Sequence, residues 1–347
     1  SGILEPFVTP ANWYSEEGTF LTKKTGGNLI FTLVPRYPPL GVQSVQPSLN
    51  DNNLTVEKFA TGLNFPTGMA FLGPNDILIT EKNNGTVKRI VNGNILPEPV
   101  LDVNVANKNE RGILGIATAK RHFLNQSEIE NMKNTSDNGT FVFLYYTESK
   151  DKDGDDATDA KEPLGNRLYR YEFLNNKLVN PKLLLDLPTT PSAIHNGGKI
   201  VIGPDDNTYL VVGNLDKNDS KAQNNLSGRA PDGVGDGVGG ILRITLDGKP
   251  VENILGEDYL EKYYAYGIRN SFGLAFDPVT GVLWDTENGP AYGDEINLVS
   301  PGFNSGWKEV QGIWKDENGH SGDIFDDIQE LESFRGKGNY SAPEFVW

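Results

Sequence analysis

The sequence predicts an all-β protein, a β-propeller behind an N-terminal arm, and three observations carry that prediction. One grammar recurs in PTGMAFLGPNDILITEKNNGTVKRIV (66–91), NGGKIVIGPDDNTYLVVGN (196–214) and SFGLAFDPVTGVLWDTENGP (271–290). Each copy has a small-residue entry, a short apolar strand, a turn with Pro or Gly beside Asp or Asn, and a second strand. A third strand with a charged edge then follows, as in TVKRIV, GILRITLDG and DEINLV, and long amphipathic helices are missing throughout. A unit of this kind cannot bury its face alone, so its recurrence fits consecutive blades better than a sandwich of chance-similar hairpins.

Taken in order, residues 1–53 read as an arm and linker rich in Pro, Gly and Asn, with a strand signal only at 28–34. Residues 54–347 read as the propeller domain, with about four blades present. ERGILGIATAK, FVFLYYTES and NRLYRYEF supply the second blade, and the fourth copy ends near Gly312. SAPEFVW (341–347) then reads as the start of another blade. A propeller closes to remove its sheet edges, so the domain is expected to be truncated at its C-terminus. The expectation that follows is a second polypeptide, or a cleaved segment, supplying the missing blades. Two loops carry the composition of a ligand site. DKDGDDATDAKE (151–162) has acids at EF-hand positions 1, 3, 5, 9 and 12, but Asp156 stands where glycine belongs, so it reads as a solvated hairpin loop, with weak calcium binding as the alternative. PDGVGDGVGG (231–240) reads as a flexible loop, with no helix behind it to cradle a phosphate.

A net charge of −16 leaves no basic stripe for nucleic acid, and no apolar run approaches the roughly 18 residues of a membrane span. Cysteine is absent, so no disulfide is available. The chain begins Ser-Gly without methionine, which suggests a processed or engineered start. Sequons at Asn53, Asn84, Asn125, Asn134, Asn138, Asn218, Asn225 and Asn339 lean towards an extracellular or periplasmic, secreted glycoprotein.

Only three histidines occur, at 122, 195 and 320, and His195 stands at the mouth of a strand with Gly197 and Gly198 beside it. By itself such a histidine reads more readily as a group that satisfies turn amides at a strand end than as a base. ERGILGIA (110–117), HNGGKIVIGPD (195–205), GGILRITLDGKPV (239–251), YGIRNSFGLAFDP (266–278) and ENGPAYGDEINLVSPGFNSGW (287–307) change that reading. In this order they resemble the soluble glucose and aldose sugar dehydrogenases that use pyrroloquinoline quinone. That family is six-bladed, secreted or periplasmic, with calcium beside the quinone.

The resemblance implies oxidation of the anomeric hydroxyl of an aldose, with His195 as general base and hydride passing to the quinone. It makes Arg269, which would steady charge on the quinone oxygen, the second catalytic residue. Arg269, Asn270, Glu110 and Asn214 are implied to touch the cofactor, and the carbonyls of Gly289 and Pro290 to hold calcium. Gly197 and Gly198 would let ligands approach the backbone.

Three departures stand against it. Asn214 replaces the family's aspartate behind the histidine, so another partner is expected to hold His195 and activity to need higher pH. Phe272 stands where the glucose enzyme has a glutamine. Glu110 faces an anionic cofactor unless calcium or Arg111 intervenes. A non-catalytic propeller that binds a sugar or protein, as in the hedgehog-interacting proteins, is the alternative. A calcium-dependent lactonase is a more distant one.

Overall fold

The computed structural model describes residues 19–25, 28–34, 54–121, 139–150, 163–216, 237–257, 260–290, 293–307, 310–312, 331 and 336–347. The loop 151–162, residues 231–236, His122, His320 and the sequons at 53, 125, 134, 138, 218 and 225 lie outside the described residues. The chain divides into two compact units, Ser1–Lys58 and Phe59–Trp347.

In the first unit, β1 (Thr19–Thr25) pairs antiparallel with β2 (Asn28–Val34), Thr25 opposite Asn28. The sequence reading found β2 alone. The signal it passed over is Gly26-Gly27 between two runs of strand formers, the usual mark of a two-residue hairpin connection.

The described residues of the second unit form four sheets. The first has β3 (Pro66–Gly73), β4 (Asp76–Glu81), β5 (Thr86–Val91), β6 (Asn94–Ile95) and β7 (Leu101–Asp102). The next has β8 (Ile113–Lys120), β9 (Thr140–Ser149), β10 (Pro163–Leu174) and β11 (Lys177–Leu187). The third begins β12 (Ile200–Ile202), β13 (Thr208–Val212), β14 (Gly240–Ile244) and β15 (Tyr263–Tyr266). The fourth begins β16 (Ser271–Phe276), β17 (Leu283–Glu287) and β18 (Glu295–Val299). Two short strands, β19 (Phe303–Asn304) and β20 (Asn339–Tyr340), extend the third sheet in parallel, and β21 (Phe345–Val346) completes the fourth.

That last strand corrects one expectation. SAPEFVW does not start another blade: Val346 and Phe345 pair with Glu295 and Ile296 of β18. An apolar pair beside an open sheet edge satisfies its backbone there, so the expectation of a second polypeptide loses the observation that motivated it.

The faces of the strands explain how the sheets stack. On β9, Val142, Leu144 and Tyr146 join a core with Ala70, Leu78 and Val87 of the first sheet. The alternate residues Phe143 and Tyr145 join another with Ile200, Leu210 and Leu242 of the third. On β13, Leu210 and Val212 face the second sheet, while Tyr209 and Val211 pack towards Leu274 and Leu283 of the fourth. A strand buried on both faces in this period-two way is one layer in a face-to-face stack. Each fully buried Phe, Tyr or Leu adds about 1.5–3 kcal/mol of transfer free energy, so the interfaces between sheets dominate the stability. The first strands, β3, β8, β12 and β16, pack in that order from sheet to sheet. The N-terminal end of each first strand then lies beside the C-terminal end of its antiparallel second strand, and the site forms at that shared end.

The described end of the 231–240 run is not a free loop. Tyr263 Oη donates to the Val238 carbonyl, Gly239 N to Gly213 O, and Ile268 N to Gly239 O.

Candidate active site

Glu110 precedes β8, His195 precedes β12, and Arg269 and Asn270 precede β16, while Asn214 follows β13 and Gly289 follows β17. Backbone bonds stitch these loops together: Asn214 N donates to Arg269 O at 2.8 Å, Asn288 N to Asn270 O at 2.7 Å, and Leu215 N to His195 O at 3.2 Å. Residues distant in sequence therefore share one end of neighbouring sheets.

His195 is buried at 5% exposure in a left-handed conformation, φ 59°. Its Nδ1 lies 2.6 Å from Asn214 Oδ1, and the same oxygen accepts the Asp216 amide at 3.0 Å. Asn214 is thus the partner of His195, against the expectation that something else holds it. Because Oδ1 accepts from Asp216, it is the amide oxygen, and His195 Nδ1 must carry the hydrogen. The lone pair is then on Nε2. Burial, followed by the charge of Arg269, pushes the imidazole down to about 4, while Asn214 and Asp216 pull it up. The sign of the pH expectation reverses accordingly: a lowered pKa keeps the base form to lower pH, not higher.

Arg269 Nη1 donates to the carbonyls of Asn288 at 2.9 Å and Gly289 at 3.1 Å, and its guanidinium lies 5.3 Å from the Trp307 ring centre. Its backbone N–H is held by Glu287 Oε1 at 2.5 Å. Burial lowers the guanidinium pKa, opposed by Glu287 and Glu110. Asn270 Nδ2 donates to Glu110 Oε2 at 3.2 Å. Two buried polar atoms here, Arg269 Nε and Asn270 Oδ1, have no partner among the described residues. The open Arg269 donor beside an aromatic ring fits a planar anionic ligand with acceptor oxygens, while the open Asn270 oxygen would take an N–H or O–H of such a ligand.

Calcium fits less well. The Gly289 carbonyl already receives a guanidinium, and among the described residues no three His, Asp or Glu side chains group to hold a metal. Pro290 adjoins Gly289 and is half-buried.

Other expectations change in detail. A Cβ on Gly197 would meet Val211 O and Gly213 N at 2.8 Å, and one on Gly198 would meet Leu114 Cβ at 2.5 Å. These glycines, at φ 61° and 115°, make room for neighbouring strands rather than for a ligand. Arg111 does not stand between Glu110 and an anion: its Nη2 binds the carbonyls of Thr189 at 2.5 Å and Ser192 at 3.4 Å. The Phe272 side chain is half-exposed.

Sequence reasoning missed three supporting groups. Lys82, buried and pushed down to about 8, donates to Asn107 O and lies close enough to Glu110 to feel its charge. Asn196 is locked behind His195 through Asn166, which also receives the Thr147 hydroxyl. Glu287 and Glu295 are cross-strand partners that share Ser305 Oγ. Lys82 could have been read from its place at the end of β4; the others depend on contacts between sheets.

Fold and site together define a propeller of the sugar-dehydrogenase kind, with its polar cluster at one end of the stacked sheets. Residues 63–331 match the Glucose / Sorbosone dehydrogenase family, and the chain belongs to it. It is 30% identical over 290 residues to the quinoprotein glucose dehydrogenase B of Acinetobacter calcoaceticus, covering 78% of this chain and 55% of that one. An uncharacterized protein of Synechocystis is 28% identical, covering 79% and 63%. The PQQ-bound aldose sugar dehydrogenase of Streptomyces coelicolor superposes with a TM-score of 0.57 at 26% identity, covering 84% and 70%. The chain thus spans 55–63% of the length of the curated relatives. No helix among the described residues is long and apolar enough to cross a membrane.

Proposed function

We propose that this chain forms part of an aldose-oxidising quinoprotein, with pyrroloquinoline quinone bound against Arg269 and Asn270 and His195 as general base. The observation that carries the reading is the His195–Asn214–Asp216 arrangement, which leaves Nε2 as the lone-pair nitrogen beside a buried, half-satisfied cationic group.

Nε2 takes the proton of the sugar's anomeric hydroxyl, and the C1 hydrogen leaves with its electron pair, so the aldose becomes the lactone. The quinone supplies the two-electron acceptor for that hydride. Arg269, fixed beforehand by the Asn288 and Gly289 carbonyls, would hold the quinone and stabilise the negative charge its oxygens gain. Asn214 steers the imidazole but supplies no charge, so His195 is a weak base held wholly in its working form at neutral pH.

Calcium at Gly289 and Pro290 belongs to the same expectation, but the Gly289 carbonyl is engaged by Arg269 and no step is assigned to the metal. Work outside the cytoplasm, with glycan at sequons such as the exposed Asn339, completes the reading. Its test is sugar-dependent reduction of an artificial acceptor by the full-length protein, with and without added quinone. Quinone-dependent turnover of an aldose is expected. Quinone binding with no turnover of any aldose would favour a non-catalytic binding module.

A further inference from the structure

Glu110 stands where a cofactor contact was expected, yet its carboxylate faces the protein. Oε2 accepts three N–H groups: the His195 amide at 2.6 Å, Asn270 Nδ2 at 3.2 Å and the Asn196 amide at 3.4 Å. These donors come from the loops before β12 and β16, so one oxygen joins three sheets at the end where the site lies. The Glu110 amide in turn donates to Ala193 O, two residues before His195. His195 has a left-handed backbone without being glycine, a conformation that persists only where surroundings hold it.

We propose that Glu110 is a positioning residue: its carboxylate fixes the His195 backbone and the Asn270 amide relative to one another and does not itself bind the cofactor. Its removal would orphan three donors at once, two of them at the residues that aim the base. The charged groups facing it are Lys82 from the end of β4 and Arg269 from the loop before β16, with His195 beside them. Burial raises the Glu110 carboxyl, while the three N–H donors and Arg269 pull it back down. The turnover and quinone-affinity arms of the test rest on the quinone reading, and the hydrogen-exchange arm does not.

The test measures hydrogen exchange at the His195 and Asn196 amides in the cofactor-free full-length protein. Turnover and quinone affinity are measured after loading. Glu110→Gln keeps an acceptor oxygen, so both amides should stay protected and turnover should remain within about threefold of the parent. Glu110→Ala should speed exchange at both amides by about tenfold or more. It should also cut kcat by about a hundredfold and weaken quinone affinity less, by about tenfold at most, because the Asn270 amide is released with the His195 backbone. Glu110→Asp, one methylene shorter, should fall between them and decides the question if the alanine variant does not fold. Retained amide protection in Glu110→Ala or Glu110→Asp would overturn the proposal, as would a Glu110→Gln defect confined to quinone affinity. If the parent itself oxidises no aldose, the quinone reading fails separately and the exchange data still decide the role of Glu110.

Discussion

The two halves of the site differ in how their polar groups are satisfied. On the His195 side, the Nδ1 of the imidazole, the Asn214 oxygen and the Glu110 carboxylate are all engaged with protein groups. On the Arg269 side, Arg269 Nε and Asn270 Oδ1 are buried without partners among the described residues, although Nη1 and Nδ2 of the same residues are held. Leaving a buried polar atom open costs about 1–3 kcal/mol, which a fold tolerates where a ligand will complete the bond. The first half is finished by the protein and aims a base. The second half keeps two polar atoms that, on the proposed function, a bound quinone would engage.

The largest effect should come from the finished half. His195→Ala is expected to lower turnover about 10²–10⁴-fold while quinone affinity stays within about threefold, checked by steady-state rates and a quinone titration. Equal loss of affinity and rate would break the division between halves. Next comes the charge behind the base. Asn214→Asp places a carboxylate against Nδ1–H and should raise the His195 pKa, moving the acid limb of kcat/KM upward by about one pH unit or more. The parent should keep its activity down towards about pH 4, where its lowered imidazole begins to protonate. An acid limb near pH 6.5 in the parent would contradict the burial of His195.

Sequence and structure diverge where contacts cross between sheets. The strand grammar was legible because period-two alternation is local, and β9 reads correctly although both its faces are buried. His195, Glu110, Asn270, Arg269 and Gly289 stand in the ordered motifs and Asn214 at the end of the 196–214 repeat, and direct bonds join them in the structure. What they do to one another was not legible in the sequence. Glu110 and Asn270 stand 160 positions apart, and nothing in either segment says that one will hold the other. The same limit hid the pairing of Phe345 and Val346 with β18, and it made Gly198 look like a ligand clearance when its space is filled by Leu114 and Tyr145.

The central claim is that the Arg269 side is completed by a bound quinone. The direct measurement is an equilibrium absorbance titration of pyrroloquinoline quinone into the cofactor-free, full-length protein and its Arg269→Ala variant. The account predicts saturable binding to the parent and affinity weaker by about tenfold to a hundredfold in the variant, the loss expected for one charge-assisted hydrogen bond. Equal affinity in both proteins, or no binding to the parent, would contradict it.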